Sequence, residues 1–396
     1  MKDVLYLAWR YLAFNRWKTG ILVAAITIIL FLPLALELVL ERSSERLRER
    51  ADATPLLLGA PGSPLELVLG SLYFDAEPPA PLNYGIAGEI AKTGLANTIP
   101  LHLGHRVAGQ PVVGTSPDYF RFRTLRLRDG RLLTLPGEAV LGATAARALA
   151  AGPGDGIVTA PETVFDVTGT YPLRLRVTGV LAPTGTPDDE AVFVDVRTAW
   201  IISGIGHGHE DLAEPAAADA VLKRDDSNIV ANAALPQYRE ITPDTLADFH
   251  FHGDVNEFPV SAVIAIPADA KSGVLLEGRY QEPDATVRIV RPQAVMEELL
   301  ATVFTVRQYV LAAVALVALA TLATIALVFL LSIRLRRAEI RTMTRLGAAP
   351  GRVITIIGSE ILLVLIASVL TAALLTGVAT AFGDELFRWI LLAGNS

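Results

Sequence analysis

A chain of 396 residues that is 52% hydrophobic, with a mean hydropathy of +0.44, is too apolar for an ordinary soluble protein and too polar for one made only of membrane spans. A net charge of −7 gives no support to a nucleic-acid partner, and the absence of cysteine excludes disulfides, thiolate metal ligands and cysteine nucleophiles. What remains is a membrane protein with a few spans and a large soluble portion. Its basic residues are densest at the N-terminus and in residues 334–352, and acids outnumber them in the middle.

Residues 1–19 open with MKDVLYLAWRYLAFNRWK, which places apolar and aromatic residues at helical spacing with Lys2, Arg10, Arg16 and Lys18 on the polar side. This predicts an amphipathic helix on the cytoplasmic face. Residues 20–40 are apolar enough to span, with a kink expected at Pro33 and Glu37 near the outer end. No A-x-A-like cleavage site follows, so the segment reads as an uncleaved anchor.

Residues 41–307 contain no apolar run of spanning length. SSERLRERAD (Ser43–Asp52) is charged at helical spacing and extends the first span as a stalk. Beyond it, the β-like runs QPVVGTS, EAVLGAT, LRLRVTGVLA, EAVFVDV, FPVSAVIAIP and ATVRIVRP alternate with Gly- and Pro-rich turns. Helical pieces are expected at Ala143–Ala151 and Pro292–Val303. The class is α+β, in two lobes.

Residues 308–333 form a second predicted span and residues 353–382 a third, each long enough for a hydrocarbon core of ~30 Å. The loop between them, residues 334–352, carries six arginines against one acid, Glu339. Short loops rich in Lys and Arg stay cytoplasmic. Residues 383–396 are expected as a short outer tail, because Phe387–Ala393 is too short to span. The fold class is therefore a membrane protein with three predicted transmembrane helices and a large α+β domain inserted between helices one and two.

RRAEIRTMTRLGAAPGRVITIIGSE resembles the segment joining transmembrane helices two and three in MacB/FtsX/LolC-type ABC transporter permeases, with Arg337, Glu339, Ile340, Arg345, Leu346, Gly347, Ala348 and Glu360 fitting the pattern. VVGTSPDYF, LRDGRLL, EAVLGATAARAL and LRVTGVLAPTGTPDDEAVFV follow, in order, the MacB-like periplasmic core domain of that family. The resemblance implies a bacterial inner-membrane protein with a cytoplasmic N-terminus and a periplasmic domain, working as a homodimer or heterodimer of permeases with a separate ABC ATP-binding subunit. It makes residues 334–352 the coupling loop, with Arg337, Glu339, Arg341, Arg345, Gly347 and Glu360 as its candidate residues. A fourth helix usual in the family is not matched. Charge alone leaves a second reading of the loop open, a topology signal that touches anionic headgroups. Glu360, inside a span, is expected to reach headgroup water or pair with Arg341 or Arg345.

No G-x-x-x-x-G-K-[ST], G-x-S-x-G or H-E-x-x-H occurs, so the chain supplies no ATP site and reads as a non-enzyme. All six histidines fall in close pairs: His102/His105, His207/His209 and His250/His252. Glu210, Asp211, Asp248 and Asp254 lie beside two of these pairs. In an extended segment, His-x-His offers two imidazoles on one face, a donor set suited to Zn²⁺, Cu²⁺ or Ni²⁺. His207, His209, His250 and His252 are the expected metal ligands, with His102 and His105 as a second pair. The plain alternative, histidines with no ligand, stays open. A further resemblance is to permeases associated with periplasmic zinc-binding proteins. The expected function is ABC permease, in zinc or other metal handling. The alternatives are lipoprotein release or amphiphile efflux, and FtsX-like signalling to a periplasmic hydrolase. A periplasmic metal-binding protein or a lipoprotein is the corresponding partner.

Overall fold

The computed structural model describes residues 2–74, 77–159, 172–208, 221–225, 228–231, 239–243, 245–246, 249–280, 286–345 and 350–394. The chain divides into two compact units, one of residues 1–45 with 300–396 and one of residues 46–299.

Five helices supply the first unit: α1 (Lys2–Phe14), α2 (Arg16–Asp52), α3 (Pro292–Leu335), α4 (Arg337–Arg345) and α5 (Pro350–Gly394). Among the described residues, three stretches are long and apolar enough to cross a membrane: α2, α3 and Ile354–Thr380 of α5. Leu22 and Ile26 pack on Val364, with Leu12, Val23, Ile325, Val328 and Phe329 around them. Leu316, Leu319 and Leu327 of α3 remain about two-thirds exposed (70, 67 and 66%). Such a surface is unfavourable in water and suits hydrocarbon, where each helix satisfies its own backbone polar groups.

The helix boundaries differ from the expected ones in three places. α1 stops at Phe14, and α2 starts at Arg16 and continues without a break past Pro33 and through the charged stalk. The expected helical piece at Pro292–Val303 and the second span are a single helix, α3. Residues 383–394 are a continuation of α5 rather than a separate tail. Gly383 costs a helix only about 1 kcal/mol, and the Glu, Leu, Phe and Arg that follow are compatible with helix.

The second unit is built on a mixed sheet, twelve-stranded among the described residues. Its main strands are β1 (Leu56–Gly59), β2 (Ala96–His102), β3 (Gln110–Thr115), β4 (Glu138–Leu141), β5 (Leu173–Leu181), β6 (Val192–Asp195), β7 (Arg239–Glu240), β8 (Ala262–Pro267) and β9 (Arg288–Val290). They run in the order β7-β5-β4-β6-β3-β2-β8-β1-β9. The pairs β6–β3, β4–β5 and β7–β5 are parallel and the rest antiparallel. All six β-like runs of the sequence contain strands.

Both faces of the sheet are covered, which is why these strands read as near-continuous apolar runs. Leu57, Val113, Val140, Phe193 and Ile264 enter one core with the helix Pro64–Tyr73 and the end of α2. Their chain neighbours point the other way, as the two-residue period requires. Val112, Leu141, Val192 and Val194 enter a second core. Leu56, Leu58, Val263 and Ala265 enter a third with Trp200. Among the described residues, residues 46–299 group as one compact unit rather than two. The strands at the start and end of the unit, β1, β8 and β9, complete the same sheet as the middle ones.

Candidate functional site

The most elaborate polar arrangement in the second unit lies where α2 ends. Arg50, in the last turn of the stalk, is 6% exposed, and Asp188, in the 3-10 turn Pro187–Glu190 that leads into β6, is 1% exposed. Arg50 Nη1 donates to Asp188 Oδ2 at 2.7 Å, and Nη2 donates to Oδ1 at 3.0 Å and to Tyr119 Oη at 3.0 Å. Tyr119 Oη donates to Asp188 Oδ1 at 2.7 Å, Thr186 Oγ1 donates to Oδ2 at 3.2 Å, and Arg50 Nε donates to the Leu72 carbonyl. Thr54 Oγ1 donates to the Arg50 carbonyl at 2.9 Å and accepts from Arg123 Nη2 at 2.8 Å.

Burial opposes charge on both partners, yet each is held charged by the other. Tyr119 and Asp188 more than offset the desolvation of Arg50 and raise its pKa. Arg50 likewise holds Asp188 below the usual carboxylate range despite burial. Burial and the Asp188 charge push the Tyr119 hydroxyl up to about 12. Gly142, in the run EAVLGAT, makes the close approach possible. A Cβ there would lie 2.2 Å from the Asp188 carbonyl oxygen and 2.4 Å from that of Asp189.

The sequence reading missed this cluster. Its residues are distant in sequence, and the charged pattern of the stalk marks it as solvated. The quoted run GTPDDEAVFV contains Asp188 but gives no sign that the carboxylate is buried.

His102 and His105 are both buried, at 7 and 6% exposed. Both Nε2 atoms contact one hydroxyl, Ser203 Oγ, at 2.9 and 2.7 Å. Ser203 Oγ also donates to the Ala199 carbonyl at 3.0 Å, so one hydroxyl ties both rings to the helix that precedes it. Burial pushes the pKa of each down to about 4, with the neighbouring His105 adding to the effect on His102. The two imidazoles thus share one hydroxyl. Gly114, whose Cβ would meet Ala199 Cβ at 2.4 Å, lets the helix Val196–Ile202 that carries this carbonyl sit on β3.

Of the other four histidines, the structure places His207 opposite His250 in a two-stranded antiparallel ladder, Gly206–Gly208 with Phe249–Phe251. His250 Nε2 lies 3.1 Å from His252 Nε2. His209 lies outside the described residues, as do Glu210, Asp211 and Asp248. Asp254 Oδ1 accepts from the backbone and side-chain nitrogens of Asn256 at 2.9 and 2.8 Å. Among the described residues, no group of three or more His, Cys, Asp or Glu is placed to hold a metal ion.

In the loop between the second and third long apolar helices, Arg337, Arg341 and Arg345 recur at every fourth position of α4 and are all exposed. They form a basic stripe. Glu339 lies on the same helix, and Gly347 is outside the described residues. Glu360 is 4% exposed, and its partner is neither Arg341 nor Arg345. Its carboxylate accepts from Arg336 Nη1 at 3.0 and 3.2 Å. Sequence spacing could not single out Arg336, since the pairing depends on how α5 packs back on the end of α3.

Two outcomes follow for the α+β unit expressed as residues 46–299. Arg50→Met or Asp188→Asn should each cost about 3–5 kcal/mol in urea unfolding, by leaving a buried charge or donor unpaired, whereas Arg50→Met with Asp188→Leu should recover much of the loss. Between pH 6.5 and 5 the unfolded chain binds protons at His102 and His105 that the fold excludes. Stability should therefore fall as the pH is lowered across that window, by about 2 kcal/mol for each imidazole, and His102→Gln with His105→Gln should flatten the slope.

Residues 86–234 match the family of MacB-like periplasmic core domains. Among solved structures, the periplasmic region of MacB from Actinobacillus actinomycetemcomitans is similar at 12% identity and a TM-score of 0.34, covering 64% of this chain and 97% of that one. The extracellular domain of the noncanonic ABC-type transporter YknZ from Gram-positive bacteria is similar at 12% identity and a TM-score of 0.32, covering 59% of this chain and 98% of that one. No curated protein matches the chain. The match over residues 86–234 agrees with the motifs read from the sequence: the chain carries a MacB-like periplasmic core domain and, among the described residues, three helices long and apolar enough to cross a membrane.

Proposed function

We propose that the chain is the membrane-spanning permease subunit of an ABC transporter of the MacB/FtsX type, in the bacterial inner membrane. ATP hydrolysis by a separate subunit acts on residues 334–352 and moves the periplasmic α+β domain. The observation that carries this reading is the match of residues 86–234 to the MacB-like periplasmic core domain in a chain with three long apolar helices. The buried anchoring of Arg50 at the end of α2 supports it, because a displacement of that helix would be delivered to β6 through Asp188 rather than lost in a loose linker. The exposed basic stripe of α4 supports it as well, as a surface that an acidic groove on the ATP-binding subunit would attract. Domain limits follow from this reading: a cytoplasmic α1, spans in α2, α3 and α5, and a periplasmic domain carried between the first two.

A second element concerns cargo, and the ladder of Gly206–Gly208 with Phe249–Phe251 favours divalent metal, Zn²⁺ first. Two imidazole nitrogens bound to one zinc at 2.0–2.1 Å lie ~3.3 Å apart in a tetrahedral shell. His250 and His252 bring their Nε2 atoms to 3.1 Å, and the Cα of His207 faces that of His250 across the ladder. His209 is the fourth candidate. Lipoprotein release, amphiphile efflux and signalling to a hydrolase remain the outcomes to which a failed metal test would point.

Arg341→Glu with Arg345→Glu should weaken association with the ATP-binding subunit at least about tenfold and abolish its stimulation, measured with both subunits purified together. Unchanged association and turnover would remove the coupling assignment. Zinc titration by chelator competition should give submicromolar binding that is lost in His250→Ala/His252→Ala and in His207→Ala/His209→Ala. Absent binding, or binding untouched by both pairs of substitutions, would remove the metal reading.

A further inference from the structure

Arg336 is the single residue between the end of α3 at Leu335 and the start of α4 at Arg337. The backbone ladder continues on either side of it: its N–H donates to the Ser332 carbonyl at 3.1 Å, and its own carbonyl accepts from Ile340 N–H at 3.0 Å. The residue is thus a joint between two helices. Its side chain is fixed from two directions. The guanidinium carbon lies 3.4 Å from the centroid of the Tyr11 ring, on α1, and Nη1 bonds both oxygens of Glu360, on α5. One turn earlier, Ser332 Oγ accepts from Lys18 Nζ, on α2, at 2.6 Å and lies 3.5 Å from Tyr11 Oη.

A carboxylate in an apolar helix is costly unless it is paired, and the Glu360 side chain is only 5% exposed. An ammonium group could supply the charge. It could not also hold a planar, delocalised cation over an aromatic ring while donating to a carboxylate. The arrangement asks for arginine at the joint, an acid on α5 and an aromatic on α1. Its consequence is directional. Turning α4 about the joint swings the backbone that carries Arg336, so α4 cannot re-aim without disturbing the stack or the ion pair.

We propose that Arg336, Glu360 and Tyr11 form a latch that sets the direction of α4, with Arg336 as its positioning residue. Occupation of the latch by α1 makes the N-terminal amphipathic helix a participant in aiming the basic stripe, and not only an anchor at the membrane surface. The functional consequence rests on the reading of α4 as the coupling element. The geometric part does not.

The experiment uses the full chain in lipid nanodiscs. Because the chain has no cysteine, cysteines at Thr342 on α4 and Ile354 on α5 can carry spin labels without other changes, and both positions are exposed. The latch predicts one narrow inter-label distance in the otherwise unaltered chain. That single distance should be lost in Arg336→Gln and Glu360→Gln, and in Tyr11→Leu, which keeps the apolar contact but removes the ring. Arg336→Lys should give an intermediate result, because the charge survives and the stack does not. Should either charge-removing variant fail to insert, Tyr11→Leu and Arg336→Lys carry the test. A distribution that stays narrow and unshifted in every variant that inserts overturns the latch, whatever the ATPase does. If the distribution broadens while association with the ATP-binding subunit and its turnover stay at the level of the unaltered chain, the latch stands and the coupling reading falls.

Discussion

The guanidinium of Arg50 sits fully charged inside the α+β unit, so everything around it has to supply acceptors. The Asp188 carboxylate, the Tyr119 hydroxyl and the Leu72 carbonyl do so, and each comes from a different part of the unit. A pair of this kind adds little net stability over a well-packed apolar substitute, because desolvation of two ions consumes most of the attraction. What it adds is uniqueness of arrangement. The end of α2 can dock on this unit only where a carboxylate waits, and the turn Pro187–Glu190 can hold that carboxylate in place only because Gly142 leaves room for its backbone.

The first unit solves a different problem with the same means. Its apolar contacts are few, a small cluster around Leu22, Ile26 and Val364, and its helices differ little in side-chain chemistry along their middles. Polar contacts define the ends instead. Glu37 pairs with Arg307 and Arg42 bonds the Thr380 carbonyl at one end, while Arg336 bonds Glu360 at the other. Within the span, Thr27 Oγ1 donates to the Ser368 carbonyl at 3.3 Å, and Ser368 Oγ donates to the Val364 carbonyl at 2.8 Å and lies 3.4 Å from that of Val23. In an apolar solvent, where van der Waals packing has to replace the hydrophobic effect, small hydroxyl residues let helices approach and hold their register.

The parts of this molecule legible from sequence were those governed by local period. The apolar runs of α2, α3 and α5 exceed the hydrocarbon thickness whatever they pack against. Strands such as Val192–Asp195 announce themselves through β-branched and aromatic residues between turns. Gly- and Pro-rich punctuation located the rest. What escaped was every feature that needs two distant segments at once. Arg50 and Asp188 belong to stretches that each read as solvated. His102 and His105 resemble ligands in sequence, yet both turn toward Ser203 in a buried setting that disfavours their charged form. The partner of Glu360 lies on a helix joint that no spacing rule defines. Repetition of the His-x-His pattern did not show that the strands bearing His207 and His250 pair; that appears only in the ladder.

The order of the strands also bears on how the domain is made. β1 enters the sheet between β8 and β9, and Leu57 pairs with Ile264 on one side and Val290 on the other. Leu56, Leu57 and Leu58 are almost wholly buried in the finished sheet. A ribosome that builds the chain from its N-terminus produces this apolar segment first and its two neighbours last. Contacts so distant in sequence form slowly, since the whole intervening chain has to be ordered or looped before they are rewarded. During synthesis β1 is a strand with no sheet to join, and both of its hydrogen-bonding edges stay open until the last part of the domain emerges. An unpaired apolar strand of this kind is open to wrong pairing for as long as that interval lasts.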